Sequence, residues 1–164
     1  QMSFGTGHHA TTSQMISRLL TDDITGLNVL DMGCGTSILA ILARMRGAAH
    51  CLGIDVDEWC VKNSRENIQL NHLDGIDVEL GDASSLASQG PFDLVIANIN
   101  LGILLNDLKH YVPCMKPGAY IYMSGFYDTD IPQLVAEAER QGLKLTDEHV
   151  LDGWACLKLQ KIEA

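Results

Sequence analysis

The stretch Asp31-Met32-Gly33-Cys34-Gly35-Thr36-Ser37 has the residue types and spacing to hold a nucleotide-like ligand. An apolar run, Leu27 to Met32, leads into it, and a periodic one, Ser37 to Arg46, leads out. A strand should therefore enter the turn and a helix leave it. Glycine lets the backbone bend sharply and approach a ligand where a Cβ would collide. The first amides of the following helix favour negative charge. A purely structural turn uses the same Gly-x-Gly, so this motif alone leaves both readings open.

Three further positions narrow the chemistry. Asp55, within Gly53-Ile54-Asp55-Val56-Asp57, ends the next apolar run. A carboxylate there can accept from both hydroxyls of a ribose, while Asp57 suits a helix cap. In Gly81-Asp82-Ala83, Asp82 could accept from an adenine amino group, or could serve a turn. In Ala97-Asn98-Ile99-Asn100-Leu101, Asn98 ends a strand where an acceptor would face the donor, and Asn100 caps the next helix. An amide oxygen at Asn98 can accept from an amine and aim its lone pair, so catalysis would be mostly positioning. The dinucleotide fingerprint wants a small residue at position 38, where Ile38 stands. A sulfonium cofactor carries an ammonium, which gives Asp31 a purpose. S-adenosyl-L-methionine fits these residues better than a nicotinamide cofactor.

The elements that must position them follow from periodicity. Thr11 to Leu20 should be a helix capped by Thr11 or Thr12. Strands are expected at Leu27 to Met32, His50 to Ile54, Ile76 to Leu80, Phe92 to Ala97 and Ala119 to Ser124. Helices are expected at Ser37 to Arg46, Asp57 to Leu70, Leu101 to Met115 and Ile131 to Gln141. Leu143 to Val150 and Trp154 to Leu159 form a terminal hairpin turning at Asp152-Gly153. The alternation implies a single α/β domain, with a doubly wound, mostly parallel Rossmann-like sheet and a C-terminal antiparallel hairpin.

Composition excludes several classes. The chain has 164 residues and a net charge of −10, which disfavours direct contact with nucleic acid and serves either simple solubility or attraction to a basic partner. No run is long and apolar enough for a membrane span, and the start does not read as a signal peptide. The expectation is a cytoplasmic chain. Its cysteines are odd in number, scattered and without a Cys-x-x-Cys, as in a reduced core. His8-His9 lacks a neighbour to complete a metal site.

The opening Phe4-Gly5-Thr6-Gly7-His8-His9-Ala10-Thr11-Thr12 resembles the signature of ribosomal protein L11 methyltransferases, and the turn, Gly53 to Asp57 and Ala97-Asn98-Ile99 follow in that family's order. The resemblance implies transfer of methyl groups from S-adenosyl-L-methionine to lysine and amino-terminal amines of a large-subunit ribosomal protein. It implies that Thr12, Gly33, Asp55 and Asn98 contact the cofactor, beside Gly35 in the turn, and that Thr6 covers its methionine end. Ser37 stands where the family has a third glycine, and should narrow the room around the methionine. Asn100 replaces a leucine of the acceptor wall. The family also places a substrate-recognition domain before the catalytic one, so residues 1–164 read as the methyltransferase domain without it. The alternatives are a methyltransferase for another protein or small-molecule amine, and a non-catalytic cofactor-binding module. An RNA amino-methyltransferase is disfavoured by charge and by the missing Asn-Pro-Pro-aromatic motif.

Overall fold

The computed structural model describes residues 7–162. Helix α1 (Gly7–Thr21) is followed by β1 (Asn28–Met32), α2 (Ile38–Met45), β2 (His50–Asp55), α3 (Glu58–Leu70) and β3 (Ile76–Leu80). Then come β4 (Phe92–Asn98), α4 (Leu101–Tyr111), β5 (Met115–Tyr127), α5 (Ile131–Arg140), β6 (Leu143–Leu151) and β7 (Trp154–Lys161). The strands form one seven-stranded sheet in the order β3-β2-β1-β4-β5-β7-β6. Pairs among β1 to β5 are parallel, and β7 runs antiparallel to both β5 and β6. The order reverses between β1 and β4, which places a ligand crevice beyond the carboxyl ends of those strands.

Alternate residues of each strand face opposite layers, and the core divides accordingly. Leu30, Met32, Val95, Ala97, Ile121 and Met123 pack beneath α4 and α5 with Leu104, Leu108 and Leu134. Val29, Leu94, Ile96, Tyr122 and Cys156 pack on the other face against Met15 and Leu19 of α1 and Leu39, Ala40 and Ala43 of α2. Each such fully buried large apolar side chain stabilises the fold by roughly 1.5–3 kcal/mol. Because both faces are covered, the central strands read as continuous apolar runs rather than alternating ones.

Several boundaries differ from the sequence expectation for identifiable reasons. Helix α1 starts at Gly7, so Thr11 and Thr12 sit in its second turn and cap nothing. Helix α4 stops at Tyr111 rather than Met115, and Val112–Cys114 is a short 3-10 turn. Pro113 has no N–H to donate to the helical ladder. Strand β5 begins at Met115, before the expected Ala119, and Pro117-Gly118 lies in an irregularity of its pairing with β4. A 3-10 turn over Ala83–Ser88 carried no periodic signal in the sequence. The hairpin turn is as expected, with Asp152 at φ 53° and Gly153 at φ 81°, the positive values that a two-residue turn demands.

One glycine outside the motifs fixes the end of β4. Gly125 has φ 108°, and a Cβ there would strike the backbone of Ile99. The close approach lets Ile99 N–H donate to the Ser124 carbonyl at 2.9 Å, extending the β4–β5 ladder past Asn98. We expect Gly125→Ala to destabilise the chain by about 2–3 kcal/mol or more, combining positive-φ strain with overpacking. Urea unfolding would read the change, and a loss below about 0.5 kcal/mol would show that this approach is dispensable.

Candidate functional site

The glycine turn spans the gap from β1 to α2 beside the end of β2. Gly33 and Cys34 N–H both donate to the Ile54 carbonyl, at 2.8 and 3.1 Å. Gly33, Gly35 and Ser37 have φ of 66°, 57° and 65°. At Gly35 a Cβ would meet nothing within 4 Å, so open space lies above the turn. At Gly33 it would lie 3.1 Å from the Ile99 side chain, so the residue after Asn98 sits over the turn.

Asp55 is bound into this loop by its carboxylate. Gly35 N–H donates to Oδ2 and Asp57 N–H to Oδ1, each at 2.9 Å. A carboxylate has about four lone-pair sites, so each oxygen can still accept one further hydrogen bond. Two outward acceptors side by side match the two hydroxyls of a ribose. Asp57 caps α3 by accepting from Trp59 N–H at 2.8 Å, so Asp55 is not that cap.

Asp31 is buried on the α1–α2 side of the sheet and only 2% exposed. Burial pushes its carboxyl up to about 7, the Ala40 amide at the start of α2 holds it down, and nearby Asp55 adds to the rise. Among the described residues nothing satisfies its Oδ2, and the same is true of the Ser37 hydroxyl and Asn98 Oδ1. A buried acceptor without a partner costs about 1–3 kcal/mol, so two such acceptors, at Asp31 and Asn98, ask for a donor-bearing ligand. The ammonium and the acceptor amine expected from the sequence would supply donors of that kind, and the residues fit S-adenosyl-L-methionine.

The raised carboxyl has a consequence for stability. A native value of about 7 against an unfolded value near 3.8 means that the folded chain binds more protons between those limits. Stability should therefore fall as pH rises from about 4 to 7, by at most about 1.4 kcal/mol per unit. We expect Asp31→Asn to flatten this dependence and to raise the ligand-free stability at pH 7.5. Urea midpoints at pH 5 and pH 7.5 would check it; an undiminished slope would place the titration elsewhere.

The remaining sequence candidates divide. Asn100 caps α4, its Oδ1 accepting from Ile103 N–H at 3.1 Å, and is tied to that role. Asp82 Oδ1 accepts from Ser84 N–H at 2.9 Å, and the Ser84 hydroxyl and amide hold its carboxyl below the usual range. It stays near Asp55, because Gly81 N–H donates to the Asp55 carbonyl at 2.9 Å. Thr12 is half-buried in α1. Thr6 lies outside the described residues, as does the side chain of His8. Among the described residues no group of three or more His, Cys, Asp or Glu side chains could hold a metal ion.

Ser37 is fully buried and left-handed, and its Oγ lies 3.6 Å from where a Cβ on Gly53 would be. A non-glycine residue in that backbone conformation carries strain of order 1 kcal/mol.

Sequence reasoning missed an aromatic pair at the carboxyl end of β5. Tyr127, ending β5, and Trp154, starting β7, have ring centroids 4.4 Å apart at a 33° tilt. Tyr127 is 53% exposed. The two residues are far apart in the chain and meet only through the antiparallel β5–β7 pairing, so no local signal could have joined them.

Residues 1–162 match the family described as ribosomal protein L11 methyltransferase. The chain is 61% identical over 158 residues to the ribosomal protein L11 methyltransferase of Bacteroides thetaiotaomicron, covering 96% of this chain and 56% of that protein. A second relative of that name, from Thermotoga neapolitana, is 34% identical over 98% of this chain and 60% of its own length. The chain thus spans a little over half the length of the curated relatives it matches. The crystal structure of ribosomal protein L11 methylase from Lactobacillus delbrueckii subsp. bulgaricus superposes with a TM-score of 0.89 at 24% identity, over 96% of this chain and 81% of that one, and so supports the fold. With the family model matching residues 1–162, nearly the whole of it, the chain belongs to the ribosomal protein L11 methyltransferase family.

Proposed function

We propose that this chain is the methyltransferase domain of a protein N-methyltransferase that uses S-adenosyl-L-methionine and acts on lysine or amino-terminal amines of a ribosomal protein. The observation that carries the proposal is the contact of Ile99 with Gly33, which sets Asn98 and its unpartnered Oδ1 directly beside the glycine turn. When bound, the cofactor supplies an electrophilic methyl group on a sulfonium sulfur. Asp55 holds the ribose, Asp82 accepts from the adenine amino group, and Asp31 answers the ammonium. Gly33 and Gly35 let the backbone come close, while the roles of Thr6 and Thr12 rest on the family resemblance. Asn98 Oδ1 accepts an N–H of the incoming amine and turns its lone pair toward the methyl group.

A large-subunit ribosomal protein, basic as RNA-binding proteins are, complements the net charge of −10. Among the described residues no helix is long and apolar enough to cross a membrane, and ribosomal substrates would place the chain in the cytoplasm. The test is transfer of labelled methyl from S-adenosyl-L-methionine to isolated ribosomal protein L11. Label on lysine or amino-terminal nitrogen supports the proposal. Label confined to RNA, or cofactor binding with no transfer to any amine, would overturn it in favour of an RNA enzyme or a binding module.

A further inference from the structure

A cleft between α1 and the β6–β7 hairpin holds polar groups that the glycine-turn site does not use. It has a volume of about 210 Å³ and is lined by Gln14, Ser17, Arg18, Asp147, His149 and Cys156 among others. Pockets for drug-sized molecules occupy roughly 300–1,000 Å³, so this one suits a peptide group or two rather than a nucleotide. Gln14 and Arg18 are one helical turn apart and face the cleft together.

The donor and acceptor pattern in the cleft is fixed. Gln14 is 5% exposed, and its Nε2 donates to the Trp154 carbonyl at 2.9 Å. A flipped amide would set two carbonyl oxygens against each other, so Oε1 must face the cleft as an acceptor. Arg18 gives Nη1 to Asp147 Oδ2 at 2.7 Å. Among the described residues, Gln14 Oε1 and Arg18 Nη2 are both buried without an oxygen or nitrogen partner, the guanidinium lying beside the Cys156 thiol. The ligand must therefore donate to Gln14 and accept from Arg18. Carboxylate and phosphate fail the first demand, and Asp147 already neutralises the guanidinium. A neutral amide meets both.

The position of the cleft says whose amide. Cys156 pairs with His149 and lies two residues beyond Trp154 on the same face of β7. At about 3.4 Å per residue, the cleft begins about 7 Å along β7 from Trp154. We infer that the cleft binds backbone amide of the substrate polypeptide next to the methylated amine, with its N–H on Gln14 Oε1 and its C=O on Arg18 Nη2. This rests on the methyl-transfer reading above.

Its test is a titration of the isotope-labelled 164-residue chain, saturated with S-adenosylhomocysteine, followed by NMR. The probes are a lysine tetrapeptide blocked at both ends and n-butylamine, which carries the same amine without peptide groups. The peptide should shift the Gln14 side-chain amide signals, and butylamine should not. Arg18→Lys keeps a cation for Asp147 but loses the guanidinium fork. It should weaken peptide binding about five- to tenfold, the worth of one net hydrogen bond, and leave butylamine and S-adenosylhomocysteine binding unchanged. Peptide affinity unchanged in Arg18→Lys, or peptide binding with no shift at Gln14, would overturn the inference. Failure of the wild-type chain to bind S-adenosylhomocysteine would instead overturn the methyl-transfer reading.

Discussion

Replacing Asp55 with alanine should weaken S-adenosyl-L-methionine binding by at least about 1.5–3 kcal/mol, roughly ten- to hundredfold in Kd. The lower figure is the loss of charged hydrogen bonds to the ribose. The geometry adds to it, because the same carboxylate accepts from Gly35 and Asp57 N–H and so shapes the turn itself. Asp55→Asn should be little better than alanine. Its amide NH2 would face one of those two backbone donors, where only an acceptor is tolerated. Calorimetric titration of the cofactor into each folded variant is the measurement. Affinity within twofold of wild type in Asp55→Asn would mean that the carboxylate is not the ribose ligand.

Asn98→Ala should separate binding from chemistry. Positioning of the amine is lost, so kcat should fall about a hundredfold, while cofactor affinity changes only a few-fold. Asn98 cannot take a proton, so the amine must arrive neutral. In the wild type the rate should therefore rise about tenfold per pH unit below the amine pKa, near 10.4 for a free lysine. A pH profile already flat at neutrality would point to a general base beside the amine. An Asn98→Ala variant with unchanged kcat and raised KM would make Asn98 a substrate-binding group only.

The parallel sheet and the glycine turn with Asp55 bound into it were legible because each signal is local. Apolar runs bounded by glycines marked β1 and β2, and a carboxylate at a fixed distance past Gly35 marked Asp55. Asn100 and Asp57 were read as caps, and both are caps. What escaped depends on tertiary packing. Gly125 reads as an ordinary strand glycine until Ile99 is set against it. Tyr127 and Trp154 become neighbours only once β7 pairs with β5. Ser37 was legible as a departure from the family, yet only the fold tells that its hydroxyl is buried near Gly53. The α4 boundary was a local miss, since Pro113 stood in the sequence and ended the helix as its missing N–H requires.

The most direct test is a crystal structure of this chain with S-adenosylhomocysteine. Both ribose hydroxyls should lie about 2.6–3.2 Å from the Asp55 carboxylate, with the sulfur over the glycine turn and directed toward Asn98. A ligand bound away from Asp55, or a sulfur facing away from Asn98, would contradict the assignment of the donor and acceptor halves of the site.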